Sequence, residues 1–192
     1  MSDAMTDIHY TKEVQELFVK APRLRERIEY TAWFFPEIDR VKVGRASRSA
    51  YYDAGTGTVR LTKSCSLYVI GHELTHFLQD ERHFNGKTLP KGERQCDLFL
   101  FARSPALVID VWDTKDNSYM GRSIHTDLLR ELFSKTEGQQ MIYDVCKAAV
   151  EMQKQGPSHY ITWAEKRINE NIMERCKPQR SLPEFLLPPN RF

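Results

Sequence analysis

The sequence predicts a single α+β domain, and three observations support this fold class. The 192-residue chain is long enough for one domain with its own core, and its apolar and charged fractions are those of an ordinary globular protein. A hairpin pattern occupies residues 51–61, where β-forming residues flank a glycine-rich turn. Helical apolar spacing follows over residues 66–82 and again in the C-terminal half. We therefore expect a small mixed sheet followed by helices.

The remaining segments are assigned from local pattern. Apolar residues at helical spacing surround Pro22, which predicts two short N-terminal helices with a break at the proline. Val41 and Val43 alternate with charged residues, as in a half-buried strand. The expected parts of this one domain (residues 1–192) are N-terminal helices at 10–30, a core of about 28–112, a helical C-terminal part at 120–177 and an extended, proline-containing tail at 178–192.

Charge and apolar runs give no sign of a nucleic acid or membrane partner. The formal net charge is +2, which is too close to neutral to indicate either. No apolar run is long enough to cross a bilayer, and Met1–Tyr10 lacks the apolar core of a secretion signal, so a cytoplasmic location is expected. The four cysteines form no C-x-x-C pair and are interpreted as reduced thiols rather than zinc ligands.

The segment His72-Glu73-Leu74-Thr75-His76 predicts a zinc site on a helix. Two histidines four positions apart project from one helix face, so both imidazoles can reach one ion. Glu73 lies about 100° around the helix from His72, which places its carboxylate beside the metal, where it can take a proton from bound water. The histidine face lies opposite an apolar face, as expected for a helix between a core and a cleft, and that apolar face comprises Leu67, Ile70, Leu74 and Leu78.

A catalytic zinc usually has three protein ligands, and three residues after the motif are candidates for the third. Glu93 begins the next predicted helix, Asp97 lies one turn later, and His83 lies just beyond the first helix. A third histidine marks the metzincin pattern H-E-x-x-H-x-x-G-x-x-H. Here Gln79 occupies the glycine position and Arg82 the histidine position, so His83 remains the weaker alternative.

The motif followed by Glu93-Arg94-Gln95-Cys96-Asp97 resembles the gluzincins, zinc peptidases with H-E-x-x-H and then E-x-x-x-D, and is closest in look to the compact minigluzincins. The resemblance covers about residues 40–105. It implies a zincin-like fold with an active-site helix and a second, ligand-bearing helix. It also implies that Glu93 is the third zinc ligand and that Asp97 hydrogen-bonds the far nitrogen of His72, fixing the imidazole tautomer.

The expected function is therefore hydrolysis of a peptide or protein substrate at one zinc ion per chain. Glu73 would accept the proton of the attacking water and pass it to the leaving amine. Two alternatives remain open: a zinc hydrolase acting on a non-peptide substrate, and a metal-stabilised regulatory or binding domain without turnover. The presence of Glu73 favours the enzymes, because a structural zinc site needs no base.

Three further expectations follow from the resemblance. A sheet edge should bind extended peptide, and this edge is formed either by Thr58–Thr62 or by the region Val41–Tyr52. The apolar tail segment Pro183–Pro188 is a candidate for entering the cleft and holding the enzyme latent. A second electrophile is expected to stabilise the reacting carbonyl oxygen, and four residues are candidates with none preferred: Tyr119, His125, His159 and Tyr160.

Overall fold

The computed structural model describes residues 6–108, 119–156 and 159–177, and these residues form an α+β fold, as predicted. The tail at 178–192, including Pro183–Pro188, lies outside the described residues. The strands are β1 Asp7–Tyr10, β2 Arg40–Arg45, β3 Tyr51–Asp53 and β4 Thr58–Leu61. The α-helices are α1 Lys12–Lys20, α2 Pro22–Ala32, α3 Leu67–Leu78, α4 Glu93–Phe101, α5 Thr126–Leu132, α6 Lys135–Lys154 and α7 Tyr160–Cys176, with short 3-10 turns at Pro105–Val108 and Gly121–Ser123.

The four strands form one mixed sheet in the order β1-β2-β4-β3. Strands β1, β2 and β4 are parallel, whereas β3 runs antiparallel to β4. The predicted hairpin is confirmed, because Tyr51 pairs with Arg60 and Asp53 with Thr58. The expectation that Thr58–Thr62 forms a peptide-binding edge is wrong, since β4 is already paired on both sides. Strand β3 is the edge strand on that side of the sheet.

Strand β1 is a feature that the sequence does not predict. It contains four residues, and only Ile8 and Tyr10 are apolar, so its alternation is too short to stand out. It forms because β2 offers a parallel partner, with Asp7 opposite Arg40 and an ion pair of 2.8 Å between their side chains. Non-local pairing of this kind leaves little trace in the local pattern.

Helix α3 carries the two histidines and is shorter than the predicted segment 66–82. It begins where expected, since the Ser66 hydroxyl accepts a hydrogen bond from the backbone N–H of Val69 at 3.3 Å. It ends at Leu78 rather than Arg82. The Asp80 carboxylate accepts from the backbone N–H of Arg82 at 3.0 Å, and this local bond replaces continuation of the helix.

One buried apolar cluster joins the sheet to helices from the whole described chain. It includes Val14 and Leu24 of the N-terminal helices, Val59 of the sheet and Ile168 of α7. Pro22 occupies the first turn of α2, where its missing N–H costs no hydrogen bond, which explains the predicted break. Within the described residues, no helix combines the length and apolar character required to cross a membrane.

Candidate metal centre

Three side chains from helices α3 and α4 converge at a cleft that strand β3 also lines. His72 Nε2 lies 3.1 Å from His76 Nε2 and 3.0 Å from Glu93 Oε2. His76 Nε2 lies 3.3 Å from the same Glu93 oxygen. In a tetrahedral site with ligand bonds of about 2.0–2.1 Å, neighbouring ligand atoms lie about 3.3 Å apart. The three atoms therefore have the mutual spacing of three ligands that share one metal ion.

Each imidazole is held through its other ring nitrogen. Asp97 Oδ1 lies 3.0 Å from His72 Nδ1, and Gln79 Oε1 lies 2.9 Å from His76 Nδ1. A carboxylate accepts hydrogen bonds, and the Gln79 amide nitrogen is engaged with backbone carbonyls, so both partners present acceptor oxygens to the rings. The hydrogen-bond network thus assigns the hydrogen to Nδ1 of both imidazoles.

This tautomer assignment leaves lone pairs, and no hydrogen, on the two facing Nε2 atoms. The third facing atom, Glu93 Oε2, is a carboxylate oxygen and also lacks a hydrogen. Three lone pairs at these separations repel one another unless a cation or a proton lies among them. Two imidazoles and one carboxylate are a donor set that can hold a divalent metal ion.

Asp97 anchors the His72 side of the site and is completely buried. Its Oδ1 accepts from the Tyr68 hydroxyl at 2.7 Å as well as from His72, and its Oδ2 accepts from the backbone N–H of Met120 at 2.8 Å. Burial lowers the pKa of His72, but the hydrogen bond to Asp97 and the nearby carboxylates outweigh this, so the pKa lies above its ordinary value. Asp97 occupies the place that the resemblance implies.

Close packing of α3 against α4 sets the distance between the histidines and Glu93. Gly71 lies at this contact, where an added Cβ would come within 2.4 Å of Leu100 Cδ1. Leu100 is fully buried and has little freedom to move away. A side chain at position 71 would therefore push apart the two helices that carry the candidate ligands.

Glu73 lines the same cleft and is 7 % exposed. Burial raises the pKa of Glu73 above its ordinary value. The nearby His72 and His76 and a hydrogen bond from the backbone of Tyr52 each offset part of this increase. The carboxylate is thereby tied to edge strand β3. The cleft has a volume of about 610 Å³ and is lined by Ser49, Ala50, Tyr51, Tyr52, Tyr68, Val69, His72, Glu73, His76, Glu93 and Tyr119.

Cys96 is a second candidate for the third ligand. The ligand atoms of His72, His76 and Cys96 all lie within 4.8 Å of one another, so this group could hold a metal ion. However, Cys96 Sγ is fully buried and donates a hydrogen bond to the backbone carbonyl of His72 at 3.1 Å. Burial raises the pKa of the Cys96 thiol well above its ordinary value.

His83 lines a different pocket from the one lined by the histidine pair. Its Nε2 lies 2.8 Å from the carbonyl oxygen of Ala54, and its ring contacts the turn at Gly57. It lines a surface pocket together with Asp39 and Lys42, away from the cleft. His83 is not among the residues that the structure brings to the candidate metal centre.

Of the four candidate electrophiles, Tyr119 lines the cleft, and its ring stacks on His72 with centroids 6.2 Å apart. Tyr160 instead packs against Phe99, and His159 lies at the N-terminus of α7. The backbone of His125 bonds the side chain of Asn169. These three contribute nothing to the described lining of the cleft.

Two residues of the site, Tyr68 and Gln79, are not identified by the sequence analysis. Tyr68 precedes His72 by four positions and Gln79 follows His76 by three, so helical spacing places both beside a histidine. That spacing is the signal that identifies them. It is weak, because tyrosine and glutamine at such positions commonly serve packing or solvation.

Comparisons with protein-family models, with curated proteins and with solved structures give no significant match to this chain.

Proposed function

We propose that this protein is a zinc-dependent metallopeptidase of the gluzincin type, with His72, His76 and Glu93 as metal ligands and Glu73 as general base. The observation that carries the proposal is the convergence of His72 Nε2, His76 Nε2 and Glu93 Oε2 at 3.0–3.3 Å, beside a buried carboxylate in an open cleft. A structural metal site has no need of the additional carboxylate or of the open cleft.

Glu93 is a better third ligand than Cys96 on geometric grounds. Its carboxylate oxygen lies within 3.3 Å of both Nε2 atoms, the ring nitrogens whose lone pairs are available. The Cys96 sulfur instead faces the carbonyl oxygen of His72, and its hydrogen is used in that bond. Binding a metal through Cys96 would require breaking this hydrogen bond and turning a buried side chain.

The reaction assigned to the site is hydrolysis of a peptide bond by water. His72, His76 and Glu93 would hold a zinc ion, which would supply Lewis-acid activation of water and of the scissile carbonyl. Glu73 takes the proton from the attacking water and transfers it to the leaving amine. Burial in the cleft raises the pKa of Glu73, which makes its carboxylate a stronger proton acceptor. Tyr119, at the same cleft, is the residue we assign to contact the developing oxyanion.

Strand β3 gives the cleft a place to bind an extended peptide. In the described part of the sheet, β3 pairs with β4 and with no other strand. Ser49, Ala50, Tyr51 and Tyr52 border the cleft, and the backbone of Tyr52 bonds Glu73. A peptide that added to strand β3 would pass the base and the metal ligands.

Glu73→Gln tests the proposal, since the amide keeps the size of the side chain but cannot act as a base. We expect the zinc-loaded variant to retain about one zinc per chain and to lose turnover on a panel of unstructured peptides by a factor of about 10²–10⁴. Cleavage is followed by mass spectrometry. The matched control is Glu81→Gln, at an exposed glutamate that pairs with Lys91, and this variant should keep full activity.

Two results would contradict the proposal. Turnover of Glu73→Gln at the wild-type rate would remove Glu73 from the role of base. A wild type that binds zinc tightly and cleaves no peptide or protein would exclude a peptidase and leave a zinc hydrolase of another substrate class or a metal-stabilised binding domain.

A further inference from the structure

Gln79 is the first residue after helix α3 and lies between two parts of the candidate metal centre. Its side chain is buried, with 5 % of the residue exposed. On one side, Oε1 lies 2.9 Å from Nδ1 of His76. On the other side, Nε2 donates to the carbonyl oxygen of Pro90 at 2.7 Å and to that of Gly92 at 3.3 Å.

These contacts fix the orientation of the amide. Carbonyl oxygens accept and never donate, so the NH₂ group of Gln79 must face Pro90 and Gly92. The oxygen therefore faces His76, which must donate from Nδ1 and keep the lone pair of Nε2 available. The opposite flip would place the amide oxygen against two carbonyl oxygens and leave a buried donor without an acceptor.

The second contact reaches the third candidate ligand. Gly92 immediately precedes Glu93 and has a φ of 122°, a backbone conformation that glycine adopts without strain. The carbonyl of Gly92 also accepts from the backbone N–H of Cys96 at 2.9 Å, in the first turn of α4. The loop that delivers Glu93 to the histidines is thus held to the end of α3 through Gln79.

We propose that Gln79 is a positioning residue for zinc binding: one amide group orients His76 and also holds the turn that presents Glu93. This inference rests on the proposed metal site but not on the reaction carried out there. It accounts for the burial of a glutamine amide next to the cleft, since each of its polar atoms has a partner. Partners of this kind, which orient a ligand, typically contribute 10–100-fold to metal affinity.

Two substitutions distinguish the contact with His76 from the contacts with Pro90 and Gly92. Gln79→Met has a similar length and removes the hydrogen bonds on both sides. Gln79→Glu keeps an acceptor oxygen for His76 Nδ1 but replaces the donor to Pro90 and Gly92. The control is Lys91→Met in the same loop, where the lysine side chain is exposed and pairs only weakly with Glu81 at 3.4 Å.

The zinc dissociation constant of each full-length variant is measured by competition with a chromophoric chelator, and the fold of the metal-free protein is checked by thermal unfolding. We expect Gln79→Met to weaken zinc binding by about 10–100-fold, Gln79→Glu to bind at least about fivefold more tightly than Gln79→Met, and Lys91→Met to match the wild type. Recovery in Gln79→Glu is diagnostic, because a general loss of packing would affect both variants alike.

Three outcomes would overturn the inference. Gln79→Met could bind zinc within about threefold of the wild type, which is below the effect of ligand-orienting groups. Gln79→Glu could bind as weakly as Gln79→Met, which would remove the role of His76 orientation. A wild type that binds no zinc would overturn this inference together with the metal site, whereas a wild type that binds zinc but cleaves no peptide overturns the peptidase proposal alone.

Discussion

Glu93 and Cys96 lie three positions apart on helix α4, and both approach the two histidines. They differ in the chemical group that each presents to the imidazoles. Glu93 offers a carboxylate oxygen at 3.0 Å from His72 Nε2, whereas the hydrogen of the Cys96 thiol is directed at the His72 carbonyl. Proximity alone therefore does not decide the third ligand, and the hydrogen bonds of the competing atoms must be considered.

The spacing of His72, Glu73 and His76 predicts their shared location because all three lie on one helix, where local geometry is fixed. Glu93 and Asp97 are predicted through the gluzincin resemblance, and the structure places both beside His72. Cys96 is a different case. Its approach to the histidines depends on how α4 packs against α3, and cysteine spacing in the sequence carries no information on that packing.

At the scale of elements, the end of helix α3 is tied to edge strand β3. Asp80, just beyond the helix, accepts hydrogen bonds from the Tyr52 hydroxyl at 3.1 Å and from the Arg82 guanidinium at 2.9 and 3.0 Å. The Arg82 side chain holds the pKa of Asp80 well below its ordinary value. This tie links the strand proposed to bind substrate to the helix that carries the proposed base, Glu73.

Asp80→Asn should destabilise the protein by roughly 1–2 kcal/mol at neutral pH, since it weakens charge-assisted hydrogen bonds. The folded-state pKa is lowered, so the contribution of Asp80 is present above the unfolded value of about 3.9 and is lost as pH falls below it. The difference between wild type and variant should therefore shrink below about pH 4. Urea unfolding at several pH values, in the presence of a chelator, measures it.

The control for this prediction is Asp127→Asn, which alters a fully exposed carboxylate and should change stability by less than about 0.5 kcal/mol at any pH. A deficit of Asp80→Asn that stays constant down to about pH 2 would show that the ionised carboxylate is not the stabilising group.

The secondary-structure elements also differ in how well the sequence predicts them. The helices and the hairpin are predictable because residues within a few positions of one another determine them. Strand β1 is not predictable in this way, since it needs β2 as a partner. The end of α3 depends on Asp80, whose carboxylate also accepts from the hydroxyl of Tyr52 in the distant strand β3. The position of β3 at the sheet edge likewise depends on strand order, which adjacent residues do not encode.

At the scale of the whole molecule, the C-terminal helices are joined to helix α4, which carries the proposed ligand Glu93. Arg94, next to Glu93, forms a bidentate pair with Glu165 of α7, with Nε lying 2.9 Å from Oε1. The two partners are unequally exposed, at 47 % for the Arg94 side chain and 9 % for that of Glu165. Replacing Arg94 and replacing Glu165 should therefore change the free energy of unfolding by different amounts.

Arg94→Met should cost about 2–3 kcal/mol, because it leaves a buried carboxylate without its partner. Glu165→Met should cost less, about 1 kcal/mol or below, since the half-exposed guanidinium can be hydrated and the methionine can pack in the vacated space. Urea unfolding of the two variants measures the difference. Equal costs, or a larger cost for Glu165→Met, would show that burial of the carboxylate does not control the energetics of this link.

Zinc K-edge X-ray absorption of the zinc-loaded chain tests the proposed metal centre most directly. Two imidazoles, the Glu93 carboxylate and water predict a first shell of nitrogen and oxygen only, at about 2.0–2.1 Å, with outer-shell scattering from two rings. The same spectrum is expected for Cys96→Ala. A sulfur scatterer at about 2.3 Å that disappears in Cys96→Ala would contradict the assignment and make Cys96, rather than Glu93, the third ligand.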